Sequence, residues 1–224
     1  MPIHDWTRVD AGLFHDFHQG WICALSDALN LGLLPPNYFA LVEQKISEPT
    51  PDVLSSRQSP GEAEIYAARA DHIAVRRQHG GVVAVIEIVS PGNKTGFVEL
   101  RDFVEQMAHL IYQDVHLLVI DLFPPDAFDP RGIHKAVWDE IQEDQFELSK
   151  DRPLTLAAYN SGSQLTAYVE QVAVGDVLPD MPLFLEAESY VPVPLEATYQ
   201  TKWKAFPAVL KRLLEGPSGM PPQS

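Results

Sequence analysis

Residues 82–94 read VVAVIEIVSPGNK. From Val82 to Val89 both alternating faces are apolar except at Glu87, so the run predicts a central strand covered on both sides rather than a half-wet one. An ionised carboxylate inside such a strand costs several kcal/mol unless a cation, a metal or hydrogen-bond donors meet it. Ser90-Pro91-Gly92-Asn93 then ends the strand with turn chemistry, and Lys94 follows. An acid near the end of a buried strand with an amine a few residues on is an arrangement from which hydrolytic sites are built. It fits equally a plain buried pair between Glu87 and Lys94 or an arginine.

Outward from this strand, Ile73–Gln78 and Val82–Val89 form a hairpin across His79-Gly80-Gly81. Phe97, Leu100, Val104, Met107 and Ile111 recur at helical spacing, predicting a core-facing helix over 97–112. Val115–Phe123 (VHLLVIDLF) is another buried strand, carrying one acid, Asp121, and stopped by Pro124-Pro125. Strand, helix, strand in that order predicts a crossover and a parallel neighbour for the Glu87 strand. Asp121 then has two readings: it completes a site beside Glu87, or it caps the turn after its own strand.

Nearer the start, Phe17, Trp21, Leu25, Leu29 and Leu33 mark a helix over 13–32, ended by Gly32 and Pro35-Pro36. Tyr38–Ile46 reads as a strand, Asp52–Ser55 as a short second one and residues 58–64 as an exposed loop. Beyond 123 come a helix over 133–142 and a second hairpin, 154–159 with 164–172. A stretch spaced by Pro179, Pro182, Pro192 and Pro194 predicts chain extended over the surface. A helix over 196–214 follows, interrupted at Pro207. Together these give an α/β (α+β) chain: a core over 1–123 with a mixed sheet and flanking helices, an α/β appendage over 124–215 packed on it, and a disordered tail over 216–224.

The chain has 224 residues, 46% hydrophobic and 21% charged, which is the composition of a soluble globular protein. No apolar run approaches the ~20 residues of a membrane helix, and the first residues, MPIHDWTRVD, lack the pattern of a signal peptide. The expected location is the cytoplasm. The single cysteine, Cys23, excludes an internal disulfide framework and reads as a buried helical residue.

The formal net charge is −15, which opposes sequence-independent binding of a long nucleic acid. Lys45–Arg101, however, holds seven basic and seven acidic residues; the other nine of 16 basic and 24 of 31 acidic residues carry the whole imbalance. A phosphate-bearing ligand is therefore compatible with the central segment.

Three constellations carry chemistry. Asp52 and Glu87, with Glu43, offer hard oxygen ligands suited to Mg²⁺, and Lys94 beside them could orient a water or offset developing charge. His15 and His18, three apart on one helix face, could bridge a metal or simply be surface histidines. Residues 90–95 (SPGNKT) follow a strand as a phosphate loop does, but Asn93 and Ile88 stand where that loop needs glycine, so the loop is excluded.

With these residues in view, FHDFHQGWI, YFALVEQ, PDVL, VVAVIEIVSPGNK, VHLLVIDLFPP and YVPVPLEATYQTKW make the chain resemble a bacterial family, domain-of-unknown-function family 4058, over nearly its whole length. The central segment is similar to the PD-(D/E)xK nuclease-like superfamily, especially the Uma-type restriction-endonuclease-like proteins. Their Pro-Asp, strand Glu and displaced lysine match Pro51-Asp52, Glu87 and Lys94. The resemblance implies a restriction-endonuclease-like core and a Mg²⁺-dependent nuclease or phosphodiesterase acting on nucleic acid. The alternative is a catalytically degenerate member serving as a ligand-binding or protein-interaction module. The chain departs from the superfamily at the position two residues after the glutamate, where Val89 replaces the usual lysine.

Overall fold

A computed structural model describes residues 3–44, 71–143 and 145–215. Asp52, the expected strand over 52–55, the loop over 58–64 and the tail over 216–224 lie outside the described residues.

The described chain is a mixed α/β structure. Strands β1 (Tyr38–Gln44), β2 (Asp71–Arg77), β3 (Val82–Ile88), β4 (His116–Asp121), β5 (Leu154–Asn160) and β6 (Thr166–Val172) make one sheet in sequence order. All neighbours are antiparallel except β3 and β4, which are parallel, as their helical connection requires. That connection is α2 (Phe97–Tyr112). The other helices are α1 (Ala11–Ala28), α3 (Ile133–Asp139), α4 (Leu195–Ala205) and α5 (Ala208–Glu215). Strands β7 (Met181–Glu186) and β8 (Ser189–Val193) form a separate hairpin.

The alternation of β3 sorts the two cores. Ile86 and Ile88 enter one with α1, α4 and the β7–β8 hairpin; Val85 and Val89 enter the other with α2 and α3. Strands β3 and β4 are thus covered on both faces, which is why they read as unbroken apolar runs. Helix α1 starts where the Asp10 carboxylate accepts a hydrogen bond from Leu13 N–H at 2.9 Å. It buries Phe14, Phe17, Trp21, Ile22 and Leu25, each worth about 1.5–3 kcal/mol of burial. Its end unwinds through Gly32, whose φ of 131° a side chain would oppose.

The N-terminal segment locks onto α4. His4 Nδ1 and the Tyr199 hydroxyl share a hydrogen bond at 2.8 Å, and the His4 ring stacks on Trp203 with centroids 3.6 Å apart. Trp21 Nε1–H donates to Thr198 Oγ1 at 3.0 Å, tying α1 to the same helix.

Three expectations need correction. The proline-spaced stretch is extended but is not laid over the surface. It folds into the β7–β8 hairpin, with Met181, Leu183 and Val193 in the core. Pro182 faces Pro192 at a non-hydrogen-bonded position of the antiparallel ladder, where the N–H groups would point away from the partner strand, so the prolines interrupt no rung. Cys23 is exposed, because it projects from α1 away from the Phe17–Trp21–Leu25 stripe. His18 is buried, not a surface histidine, because position 18 falls one turn after Phe14 and one before Ile22 on the inward face.

Candidate functional site

The C-terminal ends of the parallel strands β3 and β4 are where a ligand site is expected in a sheet of this kind. Glu87 is 1% exposed and lies opposite Val119 of β4. Asp121 stands two residues further along β4, so both acids face the α2 side of the sheet.

A rigid turn delivers Lys94 to this edge. Asn93 Oδ1 accepts from both the backbone N–H and the hydroxyl of Ser90, each at 2.8 Å. Pro91 starts the 3₁₀ turn Pro91–Lys94 with its φ already fixed, and Thr95 Oγ1 donates to the Gly92 carbonyl at 3.1 Å. The Lys94 ammonium then donates to Asp121 Oδ2 at 2.7 Å and to the Phe123 carbonyl at 3.0 Å. Asp129 Oδ2 lies 2.9 Å from it on a third side.

The aspartates are themselves held. Asp121 Oδ1 accepts from Phe123 N–H at 3.0 Å. Asp129 belongs to a reciprocal turn: its Oδ1 accepts from Asp126 N–H, while Asp126 Oδ1 accepts from the N–H groups of Phe128 and Asp129. Gly132, at φ 82°, then turns the chain into α3.

Electrostatics follow from this burial. Burial alone would discharge Lys94, but Asp121 and Asp129 outweigh it and hold its pKa above the ordinary lysine value. Burial pushes both carboxyls above the usual aspartate range, against the pull of the Lys94 charge. One ammonium lies between two carboxylates, so with both ionised one negative charge is left in excess, which adds to the upward shift of the pair.

The expected site residues are therefore distributed as follows. Glu87 and Lys94 are both near the ends of the parallel strands, but the partners of the Lys94 ammonium are Asp121, Asp129 and Phe123. Of the two readings of Asp121 the cap is found, Oδ1 accepting from Phe123 N–H, while its other oxygen engages Lys94. Glu43 is on the sheet's edge strand, where its carboxylate pairs with Arg76 at 2.8 Å. His18 Nε2–H donates to the Ile88 carbonyl at 3.2 Å, and the His15 ring lies 6.4 Å from the His18 ring. Asp129 was invisible in the sequence, its only signal being the D-x-x-D spacing of Asp126 and Asp129 that makes the turn.

Among the described residues no three histidine, cysteine, aspartate or glutamate side chains come together to hold a metal ion. Of the set expected to bind Mg²⁺, Asp52 lies outside the described residues and Glu43 is engaged by Arg76, so the described members do not by themselves form a magnesium site. No helix among the described residues is long and apolar enough to cross a membrane. Set against protein-family models, curated proteins and solved structures, the chain finds no match in any of the three. The resemblance to the nuclease-like class accordingly stands on the sequence motifs alone.

Proposed function

We propose that this chain is a non-hydrolytic binding module built on a nuclease-like frame, in which Lys94 is a structural cation. One observation carries the reading. The Lys94 ammonium donates to Asp121 and to the Phe123 carbonyl at 2.7 and 3.0 Å, and lies 2.9 Å from Asp129 Oδ2 as an ion pair. The side chain is buried and its charge is committed to two aspartates, which supports a structural role over that of orienting an attacking water. The net charge of −15 points the same way, since it opposes a polyanionic substrate.

The rival reading, a Mg²⁺-dependent phosphodiesterase acting on nucleic acid through Asp52 and Glu87, keeps one observation in its favour. Glu87 is buried on the sheet face that also carries Asp121, so two acids share one face near the ends of the parallel strands. Calorimetric titration with Mg²⁺ and Mn²⁺, wild type against Glu87→Ala, separates the two, together with incubation on single- and double-stranded DNA and RNA. The binding-module reading expects no saturable metal binding and no cleavage. Saturable binding that vanishes in Glu87→Ala, with metal-dependent cleavage, would overturn it.

A further inference from the structure

Strand β1 is an edge of the six-stranded sheet among the described residues, and its Tyr38-Phe39-Ala40-Leu41-Val42 run has no charge, proline or glycine. Phe39, Leu41 and Val42 are 36%, 45% and 37% exposed. An apolar edge of this kind is a template for another strand, because every second residue turns its N–H and C=O outward.

The pairing with β2 fixes which residues those are. Gln78 N–H donates to the Asn37 carbonyl at 2.8 Å, so Asn37 turns its backbone groups towards β2, as do Phe39 and Leu41. Tyr38, Ala40 and Val42 therefore point theirs away from the sheet. Two of these three positions are already engaged. Tyr38 N–H donates to the Pro35 carbonyl at 2.9 Å. Ala40 N–H donates to Asn30 Oδ1, and Ala40 C=O accepts from Asn30 Nδ2, both at 2.9 Å. A carboxamide holds an acceptor and a donor side by side, so Asn30 makes with Ala40 the two bonds that one residue of an added strand would make. Asn30 reaches this position because regular helix ends at Ala28 and Gly32, at φ 131°, turns the chain back towards Pro35 and β1.

We propose that Asn30 is a guard on the β1 edge, and that the surface it closes fits the same edge of a second copy. Register supports that occupant. An antiparallel copy centred on Ala40 sets Ala40 against Ala40 and Tyr38 against Val42, so all three outward positions pair at once and the contact closes after two copies. Glu43, the strand's one acid, is neutralised by Arg76 of its own chain, so the edge brings no net charge to the contact. With Asn30 in place the central rung of that ladder is occupied, and the chain is kept from pairing with itself. The guard lies apart from the Lys94 cluster, and either proposal can fail without the other.

Sedimentation velocity on the full chain at physiological salt, well below the Tm of each protein, tests it. Asn30→Ala is expected to keep the wild-type circular dichroism spectrum and to self-associate more tightly than the wild type by roughly tenfold or more. Adding Val42→Lys, which puts a charge on the opened edge, returns association to the wild-type level. If Asn30→Ala does not fold, Asn30→Asp takes its place: it keeps an acceptor for Ala40 N–H, leaves Ala40 C=O open and is also expected to associate more tightly than the wild type. A folded Asn30 variant that associates no more than the wild type overturns the proposal and leaves Asn30 a brace of the α1–β1 connection. So does association that persists after Val42→Lys is added, because it then runs through another surface.

Discussion

Replacing Lys94 by methionine keeps the length and apolar stem of the side chain and removes the ammonium. Two buried carboxylates, Asp121 and Asp129, then face each other without the cation that holds both at 2.7–2.9 Å. Breaking a buried ion pair by deleting one partner costs about 3–5 kcal/mol, because the survivor is left charged in a poor solvent. In a domain of this size that lowers Tm by roughly 6–20 °C. The loss depends on pH in a definite direction. With the ammonium gone, burial and mutual repulsion raise the carboxyls further above the ordinary aspartate range, so acidification protonates and neutralises them. The gap between wild type and Lys94→Met is therefore widest near pH 8 and narrows towards pH 5. Urea denaturation at several pH values, with equal slopes for the two proteins, measures it. A gap below about 1 kcal/mol at pH 8 would refute the structural role, since a lysine kept for catalysis is commonly dispensable to stability.

Two further outcomes are expected. Burial holds the His4 imidazole down at about 4, against 6.5 for an unperturbed histidine, so the folded chain refuses a proton that the unfolded chain takes up. This contribution, about 3 kcal/mol at most, is complete above pH 6.5 and is lost as pH falls towards 4; His4→Phe should flatten the fall in Tm between pH 7 and pH 5, and an unchanged slope would count against it. Glu43→Gln breaks an ion pair whose side chains are about one-third exposed, so denaturation should register a loss below about 1 kcal/mol, whereas a large loss would mean that Glu43 supports more than Arg76.

What the sequence made legible was whatever repeats. Strand β3 and helix α2 are found at nearly their expected bounds, because burial on both faces of one and on a single stripe of the other leaves an unambiguous period. The parallel pairing of β3 with β4 followed from the helix between them. The failures share a cause: expectations drawn from residue type yielded to position. Cysteine tends to be buried, yet Cys23 is outside because the helix turns it outward; histidine tends to be exposed, yet His18 is inside because it shares the stripe of Phe14 and Ile22. Prolines signal broken ladders, yet Pro182 and Pro192 sit opposite each other at a non-hydrogen-bonded pair, where the ladder needs no N–H from either. At the Lys94 cluster the sequence supplied the lysine and Asp121 but could not supply Asp129, since a turn capped by its own aspartates has no period to read.

The Lys94 cluster and a magnesium site are competing solutions to the same electrostatic problem. Buried carboxylates at the ends of parallel strands need positive charge, and either a divalent ion or an ammonium supplies it. Here the ammonium arrives on a turn fixed at both ends, by the Ser90–Asn93 bonds before it and by the two aspartates and a carbonyl on Lys94 itself. A metal entering at Asp121 and Asp129 would have to expel a buried cation already paired with both aspartates. On this argument Lys94 is a cation that holds the end of the sheet together.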